Sequence, residues 1–393
     1  MKVLKESNRL PIKIWCGEVE SNAMQQAINL SQLPFAFKHI ALMPDCHMGY
    51  GMPIGGVLAT KDVIIPNAVG VDIGCGMCAV KTGLTEIDTE ILKKIMRKIR
   101  QIVPVGFKKH REPQKNCFVL PGEFGKVISE EERNIDFQIG TLGGGNHFIE
   151  IQKGSDGYIW IMLHSGSRNL GFKVAKYYND RAIAANKAWF TSVPKEWELA
   201  FLPLSSLLAQ EYLMDMQICV DFAVANRKLM MERIIGVFVD YTEEDFHSSD
   251  RTGIEIERYN IAHNYAAQEN HFGKNVWVHR KGATLAREGT IGIIPGSQGT
   301  KSYIVKGLGN RESFMSCSHG AGRIMGRKQA QRELDFDMQV KQLNDKGIIH
   351  SIRDSNDLDE APGAYKDIDE VMSNQDDLVE ILVTLEPLAV IKG

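Results

Sequence analysis

Eleven histidines and seven cysteines are unevenly spread over the 393 residues, and the segments that hold them are rich in glycine. In segment 316–323, SCSHGAGR, one imidazole, His319, stands between hydroxyls and a thiol on one side and Gly-Ala-Gly on the other, with little side-chain bulk to hide behind. VGVDIGCGM sets Asp72 and Cys75 across a glycine, a spacing at which one turn aims carboxylate and thiolate at a single point. GGGNHFIEI adds Asn146, His147 and Glu150, IMLHSGSR adds His164, and IAHNYA adds His263 and Asn264. A lone histidine of this kind is more often a hydrogen-bonded core or surface residue than a ligand. Four such segments beside an Asp-x-x-Cys turn shift the reading toward a metal centre. Cysteinate with imidazole suits zinc, while the added carboxylate suits harder ions, so Asp72, Cys75, His147, His164 and His263 describe a borderline site for which the residues alone suggest zinc. A thiolate can bridge two ions, and two-metal sites serve phosphoryl chemistry.

Phosphate is suggested a second time by PGSQGTKSY, whose glycines and hydroxyls, among them Ser297 and Ser302, have the density of an anion nest without the spacing of a Walker A loop. No lysine motif of the K-x-D-G type is present. Arg168, Arg280, Lys281, Arg323 and Arg327 place cations beside the same glycine-rich segments. Arginine grips phosphate bidentately, although ordinary surface charge is the plain alternative for each.

These residues need a scaffold. The Gly-rich segments fall at roughly 43–80, 140–170 and 290–327, with a helical middle before the third. Apolar residues recur at helical spacing within 84–103 (Ile87, Ile91, Ile95, Ile99), and 207–235 is a long run without Gly or Pro. Short apolar runs at 57–59, 78–80, 148–151 and 159–163, each abutting a glycine turn, predict buried strands. Without repeats, low-complexity tracts or linkers, the economical reading is a single α+β domain over 1–393 with a helix-rich scaffold at roughly 171–260. With 46 Lys+Arg against 49 Asp+Glu, any polyanion site must be a local patch. No apolar run approaches membrane-spanning length, the first residues lack a signal-peptide stretch, and the odd cysteine count shows no disulfide spacing, so a cytoplasmic protein is expected.

Taken together, MPDCHMGYGMPIGG, VGVDIGCGM, TLGGGNHFIEI, LHSGSRNLG, AHNYA, VHRKGAT, PGSQGTKSYIVKG, SCSHGAGR, AYKDIDEV and the final VIKG resemble the RtcB family of RNA ligases, in family order from about residue 43 onward. The resemblance implies packed β-sheets ringed by helices around a metal-containing cleft. It implies an enzyme of RNA repair or tRNA splicing that joins RNA 2′,3′-cyclic phosphate or 3′-phosphate ends to 5′-hydroxyl ends, using GTP and manganese in place of the zinc suggested above. His319 is then the nucleophile that carries GMP as a phosphoramidate before passing it to the RNA 3′-phosphate.

The same resemblance makes Asp72, Cys75, His147, His164 and His263 ligands of two Mn²⁺ ions. It puts Asn146, Asn264, Ser297, Ala321 and Gly322 near the nucleotide phosphates or ribose, and Glu150, Ser302, Tyr365 and Lys392 around guanine. Arg168, Lys281, Arg323 and Arg327 are candidates for RNA phosphates. Asp45 and His47 belong to a family motif as supporting or RNA-end-handling residues. Cys46 departs from the small aliphatic residue expected there and is read as a buried small hydrophobe. A lysine so near a chain end is normally frayed, so a role for Lys392 requires Ile381–Val383 and Val390–Ile391 to anchor the tail. A cyclic phosphodiesterase without sealing activity and a non-catalytic RNA-binding homologue are the alternatives. The first has no use for His319 or Lys392, and the second would be expected to have lost metal ligands. The RNA substrate and any activating protein factor are not readable from the chain.

Overall fold

The computed structural model of the protein describes residues 1–7, 9–242 and 254–393. Among these residues two large sheets form. In the first the strand order is Lys2–Leu4, Ile12–Ile14, Ala36–His47, Ile54–Thr60, Lys274–Lys281 and Asn264–His271. In the second it is Glu255–Ala262, Gly76–Thr82, Ile159–Ser165, Phe148–Gly154, Val379–Lys392, Ser302–Gly307 and Ile291–Ile294. Neighbours are antiparallel except Ile12–Ile14, which runs parallel to Ala36–His47. The fold is therefore mixed α+β, and each short apolar run predicted as a strand lies inside one. Ile159–Ser165 is buried along its whole length, which is why it reads as a continuous apolar run instead of an alternating one.

Helices cover the second sheet. Thr89–Ile102 begins later than its apolar periodicity, because the Asp88 carboxylate accepts the backbone N–H groups of Glu90 (2.8 Å) and Ile91 (3.0 Å) and so caps the first turn. Its Ile95 and Ile99 pack with Ile161 of the sheet and with Met231 and Ile234 of the long helix Leu207–Thr242. Each such side chain contributes roughly 1.5–3 kcal/mol relative to exposure. On another face the long helix meets Leu170, Val174 and Tyr178 of the helix Arg168–Ala188. Buried on several sides, it carries Asn226 and Arg227 into the interior. Within 171–260 the described residues include most of Arg168–Ala188 and all of Leu207–Thr242, and the last of them fall in the edge strand Glu255–Ala262.

That edge strand passes through His263 directly into Asn264–His271, so one continuous segment joins the two sheets. The register needs a glycine at position 76, where a Cβ would lie 1.9 Å from the Ile261 carbonyl oxygen. The C-terminal tail is not frayed. Val379–Lys392 pairs with Phe148–Gly154 on one side, Lys392 opposite Phe148 and Val390 opposite Glu150, and with Ser302–Gly307 on the other. Among the described residues no helix is long and apolar enough to cross a membrane.

Candidate active site

Strand ends deliver the chemistry. Cys75 immediately precedes Gly76–Thr82, His147 precedes Phe148–Gly154, His164 is the penultimate residue of Ile159–Ser165, and His263 sits at the crossing between sheets. Cys75 Sγ lies 3.4 Å from His147 Nε2 and 3.2 Å from His164 Nε2. His147 Nε2 is 3.1 Å from Asp72 Oδ2, and His164 Nε2 is 3.3 Å from His263 Nε2. The donor atoms of Cys75, His147 and His164 all fall within 4.8 Å of one another. His147 Nδ1 donates to the Leu142 carbonyl (3.0 Å) and His164 Nδ1 to the Asn146 carbonyl (3.1 Å), so each ring turns a bare Nε2 lone pair inward. Burial, reinforced by the neighbouring histidines, holds His164 and His263 well below the usual imidazole range and therefore neutral. Burial and the Asp72 charge push the Cys75 thiol well up. Convergent lone pairs with a carboxylate and a thiol are costly without a cation, and His263 Nδ1 is buried without a partner. The donor set fits a divalent metal ion, which reverses the thiol's preference and takes the lone pairs.

Beside this cluster lies His319, its ring 4.7 Å from that of His263. His319 follows the short strand Ser316–Ser318, and Asp45 comes from the end of Ala36–His47. The fully buried Asp45 accepts through one oxygen, Oδ2, from His319 Nδ1 (2.6 Å), from the His319 backbone N–H (3.0 Å) and from the Gly320 N–H (3.2 Å). The proton is thereby fixed on Nδ1, and Nε2 keeps its lone pair. The chain must come this close: at Gly322, with φ +75°, a Cβ would be 2.3 Å from the Asp45 carbonyl oxygen. His47 Nδ1 donates to that same carbonyl (2.9 Å), and burial lowers the ring to about 4, so it is neutral.

His319 lines a cavity of about 160 Å³ that opens to solvent. Asn146, Glu150, His164, Ser297, Ala321, Gly322, Tyr365 and Lys392 share its wall. Burial raises Glu150 to about 8, against the pull of Lys392 and of the Gln152 amide, which donates at 2.6 Å. Burial likewise lowers Lys392, with Glu360 and Glu150 opposing. Lys392 also stands over the Phe148 ring at 5.3 Å.

A family model described as tRNA-splicing ligase RtcB matches residues 26–131 and 120–393. The chain belongs to the RtcB family. It is 40% identical over 410 residues to the RNA-splicing ligase RtcB of Escherichia coli K12, covering 99% of both chains. To the tRNA-splicing ligase RtcB of Pyrobaculum aerophilum it is 31% identical over 475 residues, covering 99% of this chain and 96% of the relative. To the RNA-splicing ligase RtcB of Mycobacterium tuberculosis it is 31% identical over 443 residues, covering 94% and 100%.

Not every residue the RtcB resemblance singles out faces the cavity. Asn264 commits its amide to backbone, donating to the Asp72 carbonyl (3.1 Å) and accepting from the Gly282 N–H (2.7 Å). Ser302 stands one layer back, taking the Gln152 amide (3.0 Å) and the Gly296 N–H (3.2 Å). Lys281 is buried, donates to the carbonyls of Tyr50 (2.5 Å) and Asn67 (3.1 Å), and is lowered by burial to about 7. Arg168 donates to Thr141 Oγ1 (3.0 Å) and the Gly106 carbonyl (3.0 Å). Arg323 and Arg327 do reach the cavity wall, but both pair with Glu360, at 2.9 Å and 2.8 Å. Arg327 keeps half its side chain exposed, at 51%. Cys46 is buried in the same apolar cluster as Cys16.

Glu360, Gln152, Asn226 and Arg227 escaped the sequence reading. Glu360 also accepts from the Tyr365 hydroxyl, so it gathers three wall residues at once. Arg227 donates to the Gly74 carbonyl (2.8 Å) and the Ser165 carbonyl (2.9 Å), next to Cys75 and His164. Asn226 accepts from the Gly140 N–H (2.7 Å) and donates to the Gly166 carbonyl (3.1 Å). No sequence signal set this pair apart, because the same helix also carries Asp215, Gln217, Asp221, Lys228 and Glu232.

Proposed function

We propose that this RtcB-family chain is a GTP-dependent RNA ligase joining RNA 2′,3′-cyclic phosphate or 3′-phosphate ends to 5′-hydroxyl ends. The observation that carries the reading is the Asp45–His319 pair, whose imidazole lines the cavity while its carboxylate is buried behind it. With Nδ1–H held by Asp45, Nε2 attacks the α-phosphorus of GTP, an N–P bond forms and pyrophosphate leaves. Positive charge developing on the ring is met by the Asp45 carboxylate, as in other histidine–carboxylate pairs. The RNA 3′-phosphate takes GMP from His319, and the 5′-hydroxyl of the second strand then displaces GMP to form the phosphodiester.

Asp72, Cys75, His147, His164 and His263 are the residues that would hold divalent metal, two Mn²⁺ ions in our reading, which when bound neutralises phosphate charge and acidifies water for opening a cyclic phosphate. Glu150, if ionised, accepts from guanine N1–H and the 2-amino group, and Lys392 donates to O6; adenine would invert both interactions. Ser297, Ala321 and Gly322 border the phosphates. A phosphodiesterase lacking sealing activity leaves the Asp45–His319 geometry without a task.

Joining of a 3′-phosphate strand to a 5′-hydroxyl strand is expected with GTP and Mn²⁺, and not with ATP. Joining at equal rates without any nucleotide would contradict the proposal.

A further inference from the structure

The segment 105–111, VGFKKHR, has entered so far only through the Gly106 carbonyl that Arg168 holds. Gly106 (φ +64°) opens a turn closed by the Lys108 N–H on the Val105 carbonyl (3.3 Å). At its tip the Phe107 side chain is fully exposed, at 108% of its reference area. A large apolar ring left in water forgoes its burial energy, and here the backbone holds it there. The Gly106 N–H donates to the Gly143 carbonyl (2.7 Å), Arg168 donates to the Gly106 carbonyl (3.0 Å), and the His110 N–H donates to the Phe137 carbonyl (2.9 Å). The tip is anchored at both ends.

What anchors it is the rim of the active site. A Cβ on Gly143 would be 2.5 Å from His147 Nδ1, and one on Gly145 would be 2.5 Å from an Arg327 guanidinium nitrogen. The Gly143–Gly145 ridge therefore has the Phe107 turn on one flank and a cluster histidine and a cavity-wall arginine on the other. Lys108, Lys109, Arg111 and Lys115 of the same segment are exposed, Lys109 Nζ over the Phe137 ring at 5.4 Å, with Glu112 the one carboxylate among residues 107–115. In a chain whose formal net charge is −3, this is a local positive patch.

We propose that Phe107 is a base-stacking platform, flanked by Lys108, Lys109 and Arg111, for the single RNA strand running out of the active site. The inference rests on the RNA-ligase reading. Every base has a π face, so an exposed ring among cations holds a single strand irrespective of sequence. A partner protein would use the ring as a hydrophobe, which the test separates from stacking.

Fluorescence anisotropy of the full chain with labelled single-stranded RNA of about ten nucleotides, bearing either a 3′-phosphate or a 5′-hydroxyl at the reacting end, identifies which strand uses the platform. Phe107→Ala is expected to weaken binding of one of them roughly tenfold. Phe107→Tyr should bind like wild type and Phe107→Leu like alanine, because leucine is apolar without a π face. The double variant Lys108→Gln, Lys109→Gln should flatten the salt dependence by roughly 0.7 in log–log slope for each phosphate that is no longer neutralised. Binding of both strands by Phe107→Ala within twofold of wild type, or wild-type binding by Phe107→Leu, overturns the platform while leaving the ligase reading intact. A wild-type protein that binds neither strand overturns both.

Discussion

Asp45 Oδ2 lies 2.6 Å from His319 Nδ1 and also takes two backbone N–H groups of the same turn, so one carboxylate oxygen fixes both the ring and the loop that carries it. Asp45→Asn keeps an acceptor but removes the charge that meets the developing imidazolium. Transfer of GMP to the protein should slow by roughly a hundredfold or more, the lower range for a positioned acid–base group. Single-turnover labelling with α-labelled GTP measures it, and a rate within threefold of wild type would remove Asp45 from the mechanism.

Guanine recognition should depend on pH through Glu150. Raised to about 8, its carboxyl is largely protonated at neutral pH and accepts poorly. GTP affinity should therefore strengthen as pH rises toward about 8.5, by up to roughly tenfold per unit, and Glu150→Gln should be weaker and flat. Because the folded state holds this proton more tightly than the unfolded chain, its stability contribution is complete below the unfolded carboxylate range. It is lost as pH rises through about 8. Calorimetric titration across that window, alongside melting curves, checks both.

Cys75→Ala removes a thiol that burial and Asp72 disfavour as an anion. The melting temperature of metal-free protein should change little, whereas bound manganese by elemental analysis should fall and self-labelling should drop more than about a hundredfold. Full metal content with full activity would eliminate the thiolate as a ligand.

Removing Lys392 leaves guanine O6 without a charged donor. A hydrogen bond to a charged group is worth roughly 1.5–3 kcal/mol, so Lys392→Met should weaken GTP use by about one to two orders of magnitude. Transfer from a pre-activated RNA-ppG end should suffer less. Equal loss in both steps would point to damage of the strand Val379–Lys392 instead of the guanine interaction.

His147 and His164 were legible because each stands at one end of an apolar strand close to glycines, whereas His263 has no glycine beside it and joins them only where the two sheets cross. Anchoring of the tail was only a condition for Lys392, and strand pairing on both sides of Val379–Lys392 meets it while Ile381 and Leu382 stay exposed. Asp45 could not be assigned, since nothing local ties it to a histidine 274 positions away. Glu360 sits in the acidic turn Ser355–Glu360, which by sequence reads as a solvated run, and only the fold brings Arg323, Arg327 and Tyr365 to it. Arg227 reads as a surface cation on a helix until that helix is found buried on opposite faces. Charge type is written in the sequence, but the partner of each charge is a tertiary fact. Lys281 shows the same: a candidate for phosphate that is instead bound to the carbonyls of Tyr50 and Asn67.

The central claim, that His319 carries the nucleotide, is tested most directly by incubating the full chain with α-labelled GTP and Mn²⁺, then mapping the label by peptide mass spectrometry. The account predicts an acid-labile, alkali-stable GMP adduct on His319, because a phosphoramidate weakens when its nitrogen is protonated, and no adduct in His319→Ala. Label on another residue, or undiminished labelling of His319→Ala, would contradict it.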